Sequence, residues 1–122
     1  MFPVAVWKVR LGMVGRFRAF GTSMHPVIES GSMVTIEPVD VERLELGDIV
    51  VARVADSTML HLVKTIDATR RQVEISGTGG PSNGWTKFRR VYGICTRIGE
   101  TEVPGARAKA GRIRRSKRAA AT

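Results

Sequence analysis

The sequence predicts a mainly β, small barrel-like domain over residues 1–105, followed by a disordered basic tail over residues 106–122. Three observations carry that prediction. Short runs rich in Val, Ile and Thr recur along the chain, bounded by the Gly, Pro, Asp and Asn residues that punctuate strands and tight turns. Apolar residues almost never recur at the 3.6-residue period of an amphipathic helix. Charge is segregated: residues 106–122 hold seven of the 20 basic residues and no acid, which leaves 13 basic against 11 acidic side chains before them. The net charge of +9 is therefore mostly a property of the tail, which is too poor in apolar residues to build a core.

Taken in order, the first twenty residues, MFPVAVWKVRLGMVGRFRAF, interleave valines and phenylalanines with Lys8, Arg10, Arg16 and Arg18. The alternation favours a half-buried edge strand, and the alternative is an interfacial segment laying Trp7 and Phe17 into lipid. Further strands are expected at Phe17 to Phe20, Met33 to Glu37, Asp48 to Val54, Met59 to Ile66, Gln72 to Ser76 and Arg90 to Ile98. Between them, Glu29-Ser30-Gly31, Leu46-Gly47-Asp48, Ala55-Asp56-Ser57 and the GTGGPSNG run at 77–84 read as turns.

Composition bounds the chemistry. At 122 residues, 43% apolar and 25% charged, the chain is one ordinary globular domain. A single cysteine, Cys95, excludes an internal disulfide, and with only His25 and His61 there is no basis for a metal centre or other cofactor. No apolar run approaches the ~20 residues that cross a bilayer, and Lys8 and Arg10 interrupt any secretory h-region. The expected location is cytoplasmic or peripheral to a membrane, without a transmembrane helix.

The stretch that carries chemistry is Gly21-Thr22-Ser23-Met24-His25-Pro26, followed by Gly47-Asp48-Ile49-Val50 and Leu60-His61-Leu62-Val63-Lys64. A serine between a glycine and a proline sits where a strand gives way to a rigid turn, able to present its hydroxyl at a cleft. A hydroxyl becomes a nucleophile when a neighbouring base takes its proton, and His61 and Lys64 are the two candidate bases. Strand alternation puts Met59, His61 and Val63 on one face and Leu60, Leu62 and Lys64 on the other, so only one of the two reaches Ser23 from a regular strand.

The order of these elements resembles the serine proteases of the signal peptidase and SOS-repressor autoprotease superfamily. Ser23, Met24 and Pro26 match the nucleophile element, Gly47 to Val50 the strand that follows, and His61 to Val63 the segment that bears the base. The resemblance implies a Ser23 nucleophile with His61 as base, Lys64 being the alternative. Thr22, Met24 and Pro26 would support the turn and the oxyanion site, and His25 fills the variable position of the motif. It further implies cleavage of an extended protein or peptide substrate with a small residue before the scissile bond. The acidic element usual after the base strand is missing, since residues 76–83 contain no Asp; Asp56 and Asp67 read as turn residues.

Two other functions compete. A silent member of the same fold would bind an extended peptide along the cleft as an added strand. A nucleic-acid-binding protein would work through the basic residues at 107–118, and the same charges suit another polyanion or a membrane surface.

Overall fold

The computed structural model describes residues 3–110, and within them the mainly β prediction holds. A helix, α1 (Pro3–Arg10), precedes β1 (Gly15–Ala19), β2 (Ser32–Glu37), β3 (Ile49–Val54), β4 (Ser57–Asp67), β5 (Gln72–Ser76), β6 (Ser82–Lys87), β7 (Val91–Ile98) and β8 (Thr101–Glu102). They form one antiparallel sheet in the order β1-β2-β7-β3-β4-β5-β6, with β8 on β7. The sheet curls until β6 returns to β3, where Thr86 Oγ1 donates to the Arg53 carbonyl at 2.5 Å. Gly84 there passes Val54 so closely that a Cβ would lie 3.2 Å from Cγ1.

The two faces of the sheet bury two cores. Inside the curl, Val50, Ala52 and Val54 of β3 meet Val63, Val73, Ile75, Phe88 and Ile94. On the opposite face, Ile49 and Val51 meet Leu60, Val34, Ile36 and Cys95. Burial pushes the Cys95 thiol up to about 12, so it stays protonated and packs as a small apolar side chain.

Four expectations need correction. Residues 3–10 are helical: Ala5, Val6 and Val9 share one buried helix face, docked where Gly15 and Gly93 leave room. A Cβ on Gly15 would stand 2.6 Å from the Ala5 carbonyl, and one on Gly93 2.6 Å from Val9 Cγ1. Closely spaced valines fit a strand or a short helix equally well, and it is the two distant glycines that select the helix. Trp7 is exposed, but Phe17 is core, so the pair does not enter lipid together. The end of the GTGGPSNG run is not turn but the start of β6, a polar strand, SNGWTK, without the β-branched signature.

The fourth correction concerns the tail. Residues 106–110 belong to the core: Ala106 and Ala110 are buried, Ala110 bridges Val39, and Asp40 N–H donates to the Lys109 carbonyl at 2.9 Å. Lys109, only 7% exposed, places its ammonium 2.6 Å from Asp48 Oδ1 and 2.9 Å from Glu45 Oε1. Burial works against that charge, but Asp48 and Glu45 outweigh it and hold the lysine above its ordinary value. Small alanines and a charged lysine look like tail in a sequence; here the alanines fill gaps and the lysine neutralises a carboxylate that is itself 9% exposed. Residues 111–122 of the expected tail lie outside the described residues.

Removing that ammonium strands Asp48, so Lys109→Ala should lower stability by about 2 kcal/mol in urea unfolding. Arg107→Ala, which loses only an exposed pairing to Glu102 at 3.8 Å, should change it by less than about 0.5 kcal/mol.

Candidate active site

His61 projects from the middle of β4, where it pairs with Val50 of β3. Ser23 comes from the long connection between β1 and β2. That connection is anchored by Met24 and Ile28, 5% and 2% exposed, whose side chains sink into the outer core, and by an Ile28 N–H bond to the Met24 carbonyl at 2.8 Å. The anchors turn Ser23 outward.

A second contact sets how far out it sits. The Thr78 N–H donates to the Ser23 carbonyl at 2.8 Å, and Thr78 Oγ1 reaches the His25 carbonyl at 2.6 Å and the Ser23 carbonyl at 3.2 Å. Gly77 makes this approach possible, since a Cβ there would lie 2.5 Å from the Ser23 oxygen. The loop after β5 therefore grips the backbone of the Ser23 turn from the side opposite its core anchors.

The outcome is a 2.8 Å hydrogen bond between Ser23 Oγ and His61 Nε2. The imidazole is half-buried, and that burial holds its pKa below the ordinary 6.5, with the Asn83 amide acting in the opposite direction. Buried without its charge, the ring is neutral at pH 7 and has a lone pair to offer. Its other nitrogen, Nδ1, is shut off from solvent and meets no partner in hydrogen-bond geometry among the described residues, Asn83 included. The Ser23 N–H makes no hydrogen bond within the described fold.

Two clefts flank the pair. One, of about 330 Å³, is largely apolar, lined by Phe17, Ala19, Phe20, Met24, Ile28 and Leu60 with Arg18 at its side. The other is floored by the glycine-rich segment 77–81 and bordered by Thr22, His25 and Asn83. No Asp or Glu lines either cleft.

The remaining candidates are dispersed. Lys64 is exposed at an irregularity in the β4–β5 register and lines neither cleft. Its charge bears on Glu74, a carboxyl held low first by hydrogen bonds with Ser82 and Thr65. Thr22 and Met24 line the two clefts and Pro26 follows a cis peptide in the same turn. Asp56 faces Arg53 across a turn and Asp67 accepts from Arg70 N–H, and neither lines a cleft. Sequence reasoning missed Gly77, Thr78 and Asn83 as parts of the site. Their one signal was the density of Gly and Asn at 77–84, which reads as turn chemistry and says nothing of the serine it touches.

A family model described as Peptidase S24-like matches residues 5–76. The chain belongs to the Peptidase S24-like family. The match includes Ser23, His61 and the Gly-Asp strand, and stops one residue before Gly77, so the loop that grips Ser23 lies beyond it. Comparison with curated proteins and with solved structures gives no match.

Gly77→Ala should force the loop off the Ser23 carbonyl and cost about 1–3 kcal/mol, the usual range for overpacking a tight contact, read as a lowered thermal midpoint. Gly79→Ala, which meets open space within 4 Å, is the matched control and should be close to neutral.

Proposed function

We propose that the protein is a serine endopeptidase in which Ser23 is the nucleophile and His61 the general base. The 2.8 Å contact between Ser23 Oγ and His61 Nε2 carries this reading. As Oγ bonds to the scissile carbonyl carbon, its proton passes to Nε2, and negative charge develops on the substrate oxygen. The unengaged N–H of Ser23 and the Thr22 side are the donors nearest that charge in sequence. The imidazolium then returns the proton to the amine as the C–N bond breaks, leaving an acyl-serine that water resolves by the same route. Membership of the Peptidase S24-like family supports the reading.

The substrate is an extended polypeptide. The apolar cleft beside Ser23 suits uncharged side chains near the scissile bond, in keeping with the small residue that the family resemblance implies. Lys64 is left out of the mechanism, because it lines neither cleft. The absence of a carboxylate from both clefts favours one second reading, a peptide-binding module with little or no turnover.

A polyanion partner for the basic C-terminal segment is the weaker proposal. Two of its seven cations are already engaged by the fold, Lys109 with Asp48 and Arg107 with Glu102. Among the described residues, no helix is long and apolar enough to cross a membrane.

A serine-directed fluorophosphonate should label the wild-type chain at Ser23, and Ser23→Ala should abolish both labelling and peptide cleavage. His61→Ala should cut kcat/KM by roughly 10³-fold or more, while Lys64→Ala stays close to wild type. Labelling that survives Ser23→Ala would overturn the assignment. A chain that binds peptides without labelling or cleavage would be the silent module.

The pH dependence has a definite sign. Only neutral imidazole accepts the serine proton, so the rate should rise with pH as His61 deprotonates. Because burial lowers the histidine, the midpoint should fall below 6.5. A midpoint near the lysine range would point to a different base.

A further inference from the structure

His61 has a second ring nitrogen, and the mechanism so far gives it no partner. With Nε2 turned to Ser23 Oγ at 2.8 Å, a ring poised to accept the serine proton carries its own hydrogen on Nδ1. That N–H is buried, and a buried donor without an acceptor is costly. Acid cannot satisfy it, because no Asp or Glu lines either cleft. Thr78 Oγ1 is already turned to the carbonyls of His25 and Ser23.

Asn83 lies in the same cleft as His61, at the second position of β6, with its side chain exposed. The register irregularity between Ile75 and Ser76 pairs Ser76 with Ser82 and brings Asn83 round the glycine-rich segment to the ring. No other side chain of the described residues engages its amide. The amide also favours the protonated ring, as an acceptor does and a donor would not.

We propose that Asn83 is a positioning residue whose Oδ1 accepts the Nδ1–H of His61 and holds the ring in the tautomer that presents Nε2 to Ser23. The two groups share the cleft outside hydrogen-bond geometry in this structure, and a contact of this kind strengthens as the ring takes up charge. A neutral amide orients the imidazole without adding a negative charge. That explains how the site combines a lowered histidine pKa with an ordered ring and no carboxylate. The consequence for turnover rests on the serine-peptidase reading; the Asn83–His61 contact does not.

Nitrogen-15 NMR of the imidazole in the full chain tests the contact without reference to activity. The other titratable side chains that line the clefts are Arg18 and His25, with Lys64 three residues along β4, and all three are left unchanged. Wild-type His61 should be mainly the Nδ1–H tautomer. Asn83→Ala should lower its pKa and let the Nε2–H tautomer appear, whereas Asn83→Asp should raise the pKa above wild type and keep Nδ1–H, because a carboxylate strengthens the same contact. In cleavage assays above the midpoint, Asn83→Ala should lose about fivefold to tenfold in kcat/KM, and Asn83→Asp should recover it with the midpoint moved to higher pH. Identical His61 titrations in all three chains, or a wild-type ring mainly in the Nε2–H form, would overturn the proposal. If the NMR shifts appear in a chain that cleaves nothing, the Asn83 contact stands and the peptidase reading falls.

Discussion

Strand β3 is apolar on both faces, and the rest of the molecule is organised by the need to cover them. Val50, Val51 and Ala52 are wholly buried, and neighbouring residues of the strand point into different cores. Each buried valine contributes on the order of 2 kcal/mol. A slip of one residue would exchange the two faces and misplace every one of them. This locks β3 against β4 in a single register, and that register places His61 opposite Val50. His61 is thus positioned by the packing of residues that line neither cleft.

Ser23 depends on a different kind of constraint. It lies in irregular chain, where no ladder of hydrogen bonds sets its place, and two unrelated contacts substitute for one. Met24 and Ile28 hold the turn from below through burial, and Gly77 and Thr78 hold it from the side through close backbone contact. Ser23 and His61 therefore meet only when the core on the outer face of the sheet, the β3–β4 register and the loop after β5 are all formed. A site assembled this way is coupled to the cooperativity of the whole domain, and local disturbance at any of the three elements reaches the 2.8 Å bond.

Charge is handled with similar economy. The chain carries nine more basic than acidic groups, yet its one buried cation among the described residues, Lys109, sits against Asp48 and Glu45. Asp48 also caps the turn before β3 by accepting the Glu45 N–H at 2.7 Å, and its backbone carbonyl receives Val63 N–H from β4. The Gly47-Asp48 turn is a structural junction, fastened by a lysine from far along the chain. No carboxylate lines the clefts beside Ser23, and burial leaves the histidine neutral near pH 7.

The strands were legible in the sequence because period-two burial and turn residues are local signals. Thus Gln72 to Ser76 and Met33 to Glu37 appear almost as expected, and the order of the motifs points to Ser23 and His61. Helix α1 was not legible, since its valines suit either period until Gly15 and Gly93, distant in sequence, leave a groove for a helix. Nor were β6, Lys109 or Asn83, whose polar side chains resemble loop and tail until the curl of the sheet brings β6 to Arg53, Lys109 to Asp48 and Asn83 into the cleft beside His61. What the sequence by itself determined was the alternation of apolar and polar residues, which dictates strands and a serine set in a turn. Only the tertiary structure decided which backbone passes within reach of that serine, because such approaches depend on side chains that are absent, and an absent side chain leaves no sign in sequence of what fills its space.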